Sequence, residues 1–264
     1  MTTIDEKRVY SDREGTTTVL VATELGVARV DVSGDIIGEF SLAHRCAARD
    51  IAAADGTPTD CALAVATDED VLDAAFSSLG FGPAVEVGFD GTTLLAADED
   101  GRLVRREGNE WHELATLDAV RAIDGDLVAT DDGVYRVSSD GVQHAGLADV
   151  RDVSTAGVPL AATADGLYRL GNGWMKTVDG DFHVVSATDG EAYAATVDGV
   201  VSCEDNEVDE WSTVSLPVND PVVDIAFGDG VYAATESGTF LATTGDGWRS
   251  RNLGLTGVAG LAVR

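Results

Sequence analysis

A short phrase recurs along the whole chain and constrains its fold more than any other feature. It consists of a β-rich run ending in Ala-Thr, two mostly polar residues, a glycine and a second β-rich run. Self-similarity at a regular period is typical of repeat architectures. Four copies are clear and three are looser: LVATDDGVYRV (127–137), LAATADGLYRL (160–170), YAATVDGVVSC (193–203), YAATESGTFLA (232–242), then VLVATELGVARV (19–30), ALAVATDEDVL (62–72) and LLAADEDGRLV (94–104).

Each copy has the pattern of a β-hairpin. Two short β-rich runs flank a tight turn, which is Asp-Gly or Ser-Gly in the clear copies, and this is a hairpin signature rather than a helix pair. A helical period persists only over residues 69–79. The residue at the Thr position marks the repeats, with steps of 44, 31, 32, 33, 33 and 39 residues: Thr23, Thr67, Asp98, Thr130, Thr163, Thr196 and Thr235.

Two further strands can be placed in each repeat. A tryptophan follows the marker by 11 to 15 residues in four copies and opens an outer strand: Trp111, Trp174, Trp211 and Trp248. An inner strand precedes the hairpin in residues 85–98, 150–163 and 222–235. Four strands in each of seven repeats predict an all-β fold, a seven-bladed β-propeller, with six or eight blades as the alternatives. We expect one domain over residues 1–264, in which 1–15 form an N-terminal extension or an extra edge strand.

The two ends of the chain complement each other. Residues 257–264 resemble an inner strand with no hairpin after it, whereas the first copy is a hairpin with no clear inner strand before it. Pairing of the two ends would complete one blade and remove the exposed edges of an open array. We therefore predict a ring closed by the N- and C-terminal segments.

The repeats also carry a resemblance to known propellers. The pattern YAAT-x-x-G-x-(F/L), followed by a Gly-Asp-Gly-Trp turn, resembles the blades of sialidase, sortilin and photosystem-assembly-factor propellers. From about residue 16 to 264 the chain resembles a family of haloarchaeal β-propeller proteins. The sialidase Asp box, Ser-x-Asp-x-Gly-x-x-Trp, is shortened here to TTGDGW (243–248) and GNGW (171–174). The resemblance thus implies the fold and gives no support for sialidase activity.

Charge is the strongest signal in the composition. The chain has 47 Asp and Glu against 17 Lys and Arg, a formal net charge of -30. Molar salt shortens the Debye length to about 3 Å and screens the self-repulsion of such a chain. We therefore expect a halophilic, high-salt cytoplasm. The same charge would repel nucleic-acid phosphates, so no nucleic-acid partner is expected.

The N-terminal residues, the hydropathy of the chain and its cysteines indicate where the protein is located. The first fifteen residues carry charges where a signal peptide needs an apolar run, and no later stretch is long and apolar enough to span a bilayer. The three cysteines, Cys46, Cys61 and Cys203, are too scattered for a disulfide framework and suit a reducing compartment. We expect a cytoplasmic protein without membrane contact, as a monomer or weak oligomer.

No set of residues points to catalysis, a metal or a cofactor. His44 and Cys46, with Cys61 further on, are the one group that we considered for zinc, and they lack a fourth ligand. The other histidines have no nucleophile at a recognisable spacing. Paired acids in TDED (67–70), ADEDG (97–101) and TDDG (130–133) sit at hairpin turns, where Asp and Gly are favoured for conformation. The repeated tryptophans are expected to pack between sheets.

Three arginines are the candidate binding residues. Arg49, Arg121 and Arg151 recur at the start of an inner strand, near the expected channel, in a chain with few positive charges. Their guanidinium groups would suit a carboxylate or phosphate of a ligand or partner. The alternative is an ion pair between blades, since acids follow two of them directly.

Two functions therefore stay open. The first is a non-enzymatic scaffold that presents the loops of the ring faces to an unknown protein partner. The second is a propeller that binds or acts on a small molecule or carbohydrate at a site at the channel mouth. A channel plugged by apolar side chains would favour the scaffold. A pocket that holds all three arginines, with a nearby histidine or an unpaired acid of raised pKa, would favour the second function.

Overall fold

The computed structural model describes residues 15–34, 36–54, 63–204, 210–243 and 247–264, and all the regular secondary structure in them is β. The predicted N-terminal extension, apart from Gly15, lies outside the described residues, as does Cys61. The first strands are β1 (Thr16–Thr23), β2 (Gly26–Ser33), β3 (Ile36–His44), β4 (Ala48–Ala53), β5 (Leu63–Thr67), β6 (Val71–Asp73), β7 (Glu86–Asp90), β8 (Thr93–Ala97), β9 (Arg102–Glu107), β10 (Glu110–Thr116), β11 (Val120–Asp124), β12 (Leu127–Thr130), β13 (Gly133–Ser138) and β14 (Gly141–Gly146). The remaining strands are β15 (Val150–Ser154), β16 (Leu160–Thr163), β17 (Gly166–Leu170), β18 (Trp174–Asp179), β19 (Phe182–Ala187), β20 (Glu191–Thr196), β21 (Gly199–Glu204), β22 (Ser212–Val214), β23 (Val222–Phe227), β24 (Val231–Thr235), β25 (Thr239–Thr243), β26 (Trp248–Asn252) and β27 (Val258–Val263).

These strands form seven antiparallel sheets, which are the blades of a propeller. Blade 1 has the order β27-β1-β2-β3, blade 2 is β4-β5-β6, and blades 3 to 7 follow in chain order as β7–β10, β11–β14, β15–β18, β19–β22 and β23–β26. The inner strands of adjacent blades contact one another around the whole ring. The predicted seven-bladed propeller is confirmed.

Blade 2 departs from the predicted four strands, because only three pair in its described part. After β6 the chain turns back on itself, and the Leu79 amide donates to the Val71 carbonyl at 2.9 Å. The Asp70 carboxylate accepts the amides of Gly80, Phe81 and Gly82 at 2.8 to 3.0 Å. This loop takes the place of the outer strand, and the helical period over residues 69–79 forms no helix.

The recurring Thr of the repeat phrase fixes the hairpin turn. Its hydroxyl donates to the carbonyl of the turn glycine, as in Thr23 to Gly26 at 2.7 Å and Thr130 to Gly133 at 2.8 Å. The Thr130 hydroxyl also accepts the Gly133 amide at 3.1 Å. In blade 3 the Asp98 carboxylate accepts the Arg102 amide at 2.9 Å. A short side chain that bonds the backbone three or four residues on stabilises such turns.

The ring closes as predicted within blade 1. β27 pairs antiparallel with β1, so that Val263 lies opposite Val19 and Leu261 opposite Val21. The Arg264 amide extends this ladder with a hydrogen bond to the Thr18 carbonyl at 2.9 Å. The C-terminal segment therefore supplies the inner strand of the blade that the first repeat begins.

The apolar core is divided among the seven blade interfaces. Each interface has its own cluster of buried side chains, from the cluster of blades 7 and 1 (Val19, Val30, Phe240) onward around the ring. The middle of the ring has no cluster of its own among the described residues, because the inner strands surround an open channel.

The four repeated tryptophans pack onto the preceding blade. The Trp111 indole donates to the Leu79 carbonyl of blade 2 at 3.1 Å, and the Trp174 indole donates to the Ala145 carbonyl of blade 4 at 3.0 Å. Trp248 contacts the Tyr193 ring of blade 6 with centroids 6.0 Å apart. Trp211 packs against the cluster between blades 5 and 6. The predicted packing role is confirmed.

Candidate functional site

The inner strands surround a central channel with a volume of about 760 Å³. Six acidic residues line its wall, and four of them lie near the start of inner strands in blades 2, 3, 5 and 7: Asp50, Glu86, Asp152 and Asp224. Each belongs to the first half of its inner strand. The channel is therefore lined in part by carboxyl groups rather than plugged by apolar side chains.

Three of these carboxyl groups connect blades. Asp152 accepts the Val153 amide of its own strand at 2.8 Å and the Val185 amide of blade 6 at 2.7 Å. Asp50 accepts the Val87 amide of blade 3 at 2.9 Å. Asp224 in the same way accepts a backbone amide of the closing strand β27. A carboxylate with two oxygens can satisfy two backbone donors at once.

Asp224 holds the closing strand in place. It accepts the Ile225 amide at 2.7 Å and the Leu261 amide of β27 at 2.6 Å. Each of these three aspartates lies two positions after the first buried residue of its inner strand. Asp50 lies in the sequence ARDI, Asp152 in VRDV and Asp224 in VVDI. The sequence repeats this aspartate visibly, but its role as a bridge between blades was not predicted.

The protein around the channel changes the acidity of these groups. Burial is the main cause that raises the pKa of Asp152 and of Glu86 well above their usual ranges, and it raises the pKa of Asp224 to about 7. Asp50 adds to the effect on Glu86 by its nearby charge and by a hydrogen bond between the two side chains. Carboxyl groups with a raised pKa release their protons at a higher pH than ordinary ones, and backbone amides already engage three of these four.

The three arginines predicted from the sequence lie at the start of β4, β11 and β15, on one face of the ring. Arg49 pairs with Glu99 of blade 3 at 2.5 Å, and Arg151 pairs with Asp181, just before blade 6, at 2.5 Å. Arg121 pairs with Asp149, just before blade 5, at 2.7 Å, and also with Asp131 in its own blade. All three thus take part in the ion pairs that we considered as the alternative. Binding of a ligand or partner by them stays a prediction.

The arginines do not line the channel wall itself. In blade 6 the corresponding position is His183, whose Nε2 lies 2.8 Å from the Val222 carbonyl of blade 7. Arg121 reaches the equivalent carbonyl, that of Val150 in blade 5, at 3.4 Å. At this position of the inner strand, arginine and histidine therefore both contact a backbone carbonyl of the next blade.

The His and Cys residues considered for zinc do not form a site in the described residues. The His44 ring stacks on Phe76 with centroids 4.8 Å apart. Burial, with the nearby charges of Asp68 and Glu69, raises the pKa of the Cys46 thiol. In the described ranges no three His, Cys, Asp or Glu side chains are placed to hold a metal ion. Nor does that part of the chain contain a helix able to cross a membrane.

Exposed apolar side chains concentrate on the outer strand of blade 1. Among the described residues six large apolar side chains are exposed, and three of them belong to β3: Ile36 at 58%, Phe40 at 39% and Leu42 at 39%. β3 is the edge of its sheet, with nothing described paired to its outer side. This strand was not predicted as a surface for a partner, although IIGEFSLAH is more apolar than the other outer strands.

Arg251 of blade 7 covers one end of this strand. Its guanidinium lies 5.0 Å from the centre of the Phe40 ring. Its Nη1 donates to the Ile37 carbonyl at 3.2 Å and also to the Gly38 carbonyl. Stacking of a guanidinium on an aromatic ring is favourable, by about 0.5–1 kcal/mol where exposed. The rim where blades 7 and 1 meet is thus apolar and cationic together.

Comparison with solved structures places the chain among propellers. It is similar to YCF48 bound to D1 peptide (14% identity, 83% of this chain and 93% of that chain covered, TM-score 0.60). It is also similar to the computationally designed Ika8 protein (13%, 92% and 86%, 0.61). A third similar structure is the extracellular domain of the putative hybrid two component system BT4673 from B. thetaiotaomicron (12%, 86% and 38%, 0.62). At these identities the likeness concerns the fold.

Sequence comparison agrees with the fold. A search of curated protein sequences gave no match. A family model for HVO_0234-like β-propellers, in contrast, matches residues 3–264, nearly the whole chain. The chain therefore belongs to the HVO_0234-like β-propeller family.

Proposed function

We propose that this propeller is a non-enzymatic scaffold that binds a partner protein at the outer strand of blade 1. The observation that carries the proposal is the exposure of Phe40 and Leu42 on one side of an edge strand, with Ile36 exposed at the start of the same strand. Exposed apolar side chains grouped on a surface mark interaction sites, whereas single ones are ordinary. An edge strand also offers unpaired amides and carbonyls to another chain.

The geometry of β3 suggests how a partner would bind. An extended segment can add a strand to an exposed sheet edge, with backbone hydrogen bonds giving affinity and side chains giving specificity. Arg251 occupies the carbonyls of Ile37 and Gly38. The part of the edge open to a partner therefore runs over residues 39–43, and an added strand would stop or bend beside Gly38.

The similar YCF48 structure supports this type of function. It is a propeller that covers most of this chain and is described as bound to a D1 peptide. A propeller of this fold can therefore serve as a peptide-binding scaffold. The proposal for this chain does not depend on the same surface being used.

The face with Arg49, Arg121 and Arg151 is a second candidate surface for a partner. An anionic group would have to replace the carboxylates that now pair with these guanidinium groups, which are exposed by about a third. Exposed ion pairs are weak, typically about 0–1 kcal/mol, so such exchange costs little. A small anionic ligand in the channel is less favoured, because the described channel wall contains acidic residues and no arginine or lysine that could bind an anion.

Site-specific crosslinking tests the proposal. The propeller is produced in a halophilic host with a photo-crosslinking amino acid in place of Phe40, of Asp100 on the arginine face, or of Gln143 on the outer strand of blade 4. Asp100 and Gln143 are both exposed. After irradiation in molar KCl, crosslinked proteins are identified by mass spectrometry. We expect a protein captured from position 40 and not from position 143.

A second step makes the result specific. The captured protein is purified and its binding measured with the native propeller and with a Phe40→Ser/Leu42→Ser variant, whose melting temperature is checked. We expect binding to the native chain and loss of binding in the variant. Capture from position 100 alone would move the site to the arginine face. Equal capture from all three positions, or from none, would refute a defined partner surface.

A further inference from the structure

The rim of blades 7 and 1 forms a cleft between two outer strands. Phe40 and Leu42 of β3 lie opposite Val30 and Ala28, which belong to the cluster between blades 7 and 1. Side chains opposite each other in an antiparallel pair point to the same side. Phe40 and Leu42 therefore face blade 7.

The other wall of the cleft comes from β26. Arg251 lies opposite Phe240 and Arg249 opposite Ala242, and both of these partners belong to the cluster between blades 7 and 1. Arg249 and Arg251 therefore face blade 1, and both are exposed. We call Phe40, Leu42, Arg249 and Arg251 the rim cleft.

The charge of the rim cleft is opposite to that of the molecule. The whole chain has 47 acidic and 17 basic residues, yet β26 (WRSRN) has two arginines and no acid. The four residues of the cleft include two guanidinium groups and two apolar side chains. A partner that carried positive charge would meet repulsion here, whereas carboxylates would find donors beside an apolar surface.

We infer that the rim cleft binds an extended partner segment in which apolar residues alternate with Asp or Glu. The inference rests on the proposed function and names the chemistry of the partner. Apolar side chains of the segment pack on Phe40 and Leu42, and its carboxylates accept hydrogen bonds from Arg249 and Arg251. Arginine suits this role in high salt, because its planar fork binds a carboxylate through two hydrogen bonds as well as by charge.

The chain's own N-terminal segment is the competing occupant. β1 begins at Thr16, which pairs with Ser33, and Ser33 in turn pairs with Ile36 at the start of β3. The segment before β1 therefore joins the blade at the end where β3 begins. This segment contains both basic and acidic residues, so it matches the cationic cleft less well than a purely acidic one.

A peptide array on the full-length propeller tests the inference. The probes are extended peptides of about a dozen residues, in which Val or Ile alternates with Asp or Glu, each matched by an amide version with Asn or Gln and by a version with Lys. Binding of labelled propeller is measured in molar KCl. We expect the acidic peptides to bind and the amide versions to bind roughly tenfold more weakly, since hydrogen bonds to charged groups are the stronger ones.

Variants of the propeller locate the binding. Arg249→Gln and Arg251→Gln should each weaken the acidic peptides and leave the amide peptides unchanged. Arg29→Gln is the matched control, because Arg29 lies on the other face of blade 1 and pairs with Asp31. Because Arg251 also donates to backbone carbonyls of β3, a melting curve is measured for the Arg251→Gln variant to check that it is folded. The comparison of acidic and amide peptides on the native chain does not depend on any variant.

Each other outcome has a definite meaning. Equal binding of acidic and amide peptides would overturn the acidic partner while leaving a partner at β3 intact, provided that crosslinking from position 40 succeeds. Absence of any peptide binding would overturn the inference. Binding only after removal of residues 1–14 would assign the cleft to the chain's own N-terminal segment.

Discussion

Trp174 joins two neighbouring blades through both its ring and its indole nitrogen. The ring packs against the cluster of blades 4 and 5, and the indole donates to the Ala145 carbonyl at 3.0 Å. It lies at the outer end of that interface, where the blades diverge and apolar contacts become sparse. A large ring that also has a hydrogen-bond donor suits such a half-buried place.

Replacement of Trp174 should separate these two contributions. Trp174→Phe keeps an apolar ring and loses the hydrogen bond, which should lower the free energy of unfolding by about 1 kcal/mol. Trp174→Ala also loses the packing and should cost about 2–3 kcal/mol, less than a fully buried ring because the site is half-exposed. Chemical denaturation in molar KCl measures both. Met175→Ala, at an exposed neighbour, should change little, and equal effects of Phe and Ala would contradict the hydrogen-bond role.

The channel carboxyl groups predict a pH dependence of stability. Burial raises the pKa of Asp224 to about 7 in the fold, against an ordinary value of 3.8. The folded state then binds more protons than the unfolded state between these two values. The contribution of Asp224 to stability is therefore fully present below about pH 4 and is lost as the pH rises through about 7, and it amounts to up to about 4 kcal/mol.

Denaturation from about pH 4 to about pH 8 in molar KCl checks this sign. Asp224→Asn should flatten the slope, because the amide does not titrate, even if the variant is less stable at every pH. Asp140→Asn, at an exposed turn residue, should leave the slope unchanged. The same slope in the native chain and in the Asp224→Asn variant would show that Asp224 does not hold its proton in the fold.

At the scale of the strands, β27 is the element on which the ring depends. Its Leu261 and Ala262 are buried in the two interfaces that flank blade 1, and its Leu261 amide binds Asp224. Loss of this strand would leave β1 as an edge inside the ring. The same strand thus contributes apolar burial, a hydrogen-bonded ladder and a partner for a channel carboxylate.

Removal of residues 258–264 should destabilise the protein strongly. A buried leucine alone is worth about 2–5 kcal/mol, and 1 kcal/mol moves the melting temperature of a chain of this size by about 2–4 °C. We expect a fall of more than about 10 °C, or no folded protein, in a calorimetric scan. Removal of Arg264 alone, which loses the backbone bond to Thr18, serves as the mild control. A truncated chain that melts within a few degrees of the native one would contradict closure by β27.

The strands show where sequence reasoning succeeds and where it stops. The Thr marker and its glycine act within four residues, so each hairpin could be recognised locally. The loop of blade 2 could not be recognised locally, because Asp70 binds amides ten to twelve residues away. The alternation of apolar and polar residues in a strand does not indicate such a contact. The arginine positions were recognised, but their carboxylate partners lie about 30 to 50 residues further along the chain.

The rim cleft is a second example of this limit. Phe40 and Arg251 are separated by about 210 positions in the sequence, and only ring closure brings them together. Phe40 and Leu42 stay exposed although they face blade 7. Alternation along β3 indicates a strand, but it does not reveal which side remains uncovered.

At the scale of the whole molecule, the net charge of -30 sets the dependence on salt. Carboxylates surround the ring on its turns, and their repulsion opposes the compact state. Lowering the salt from molar to about 0.1 M lengthens the Debye length from about 3 Å to about 10 Å. The charges of neighbouring turns then interact more strongly.

We therefore expect the melting temperature to fall as KCl is lowered over this range. Circular dichroism at a constant pH near 7 measures it. Sucrose at the same osmolality is the control, because it favours compact states without screening charge, and it should restore less of the stability than KCl does. A melting temperature that stays constant across the KCl range would contradict the expected adaptation to high salt.

The pairing of β27 with β1 has one more consequence, which concerns the order of the blades along the chain. Val263 lies opposite Val19, and β1 begins three residues before Val19, at Thr16. The start of β1 and the end of β27 are therefore about three residues apart along one ladder, or roughly 10 Å. Every blade interface has its own buried cluster, and none depends on where the chain starts. A circularly permuted chain, joined by a short linker between these ends and opened in a connection between two other blades, should therefore fold to the same ring. The fold is set by the cyclic order of its repeats rather than by their linear order.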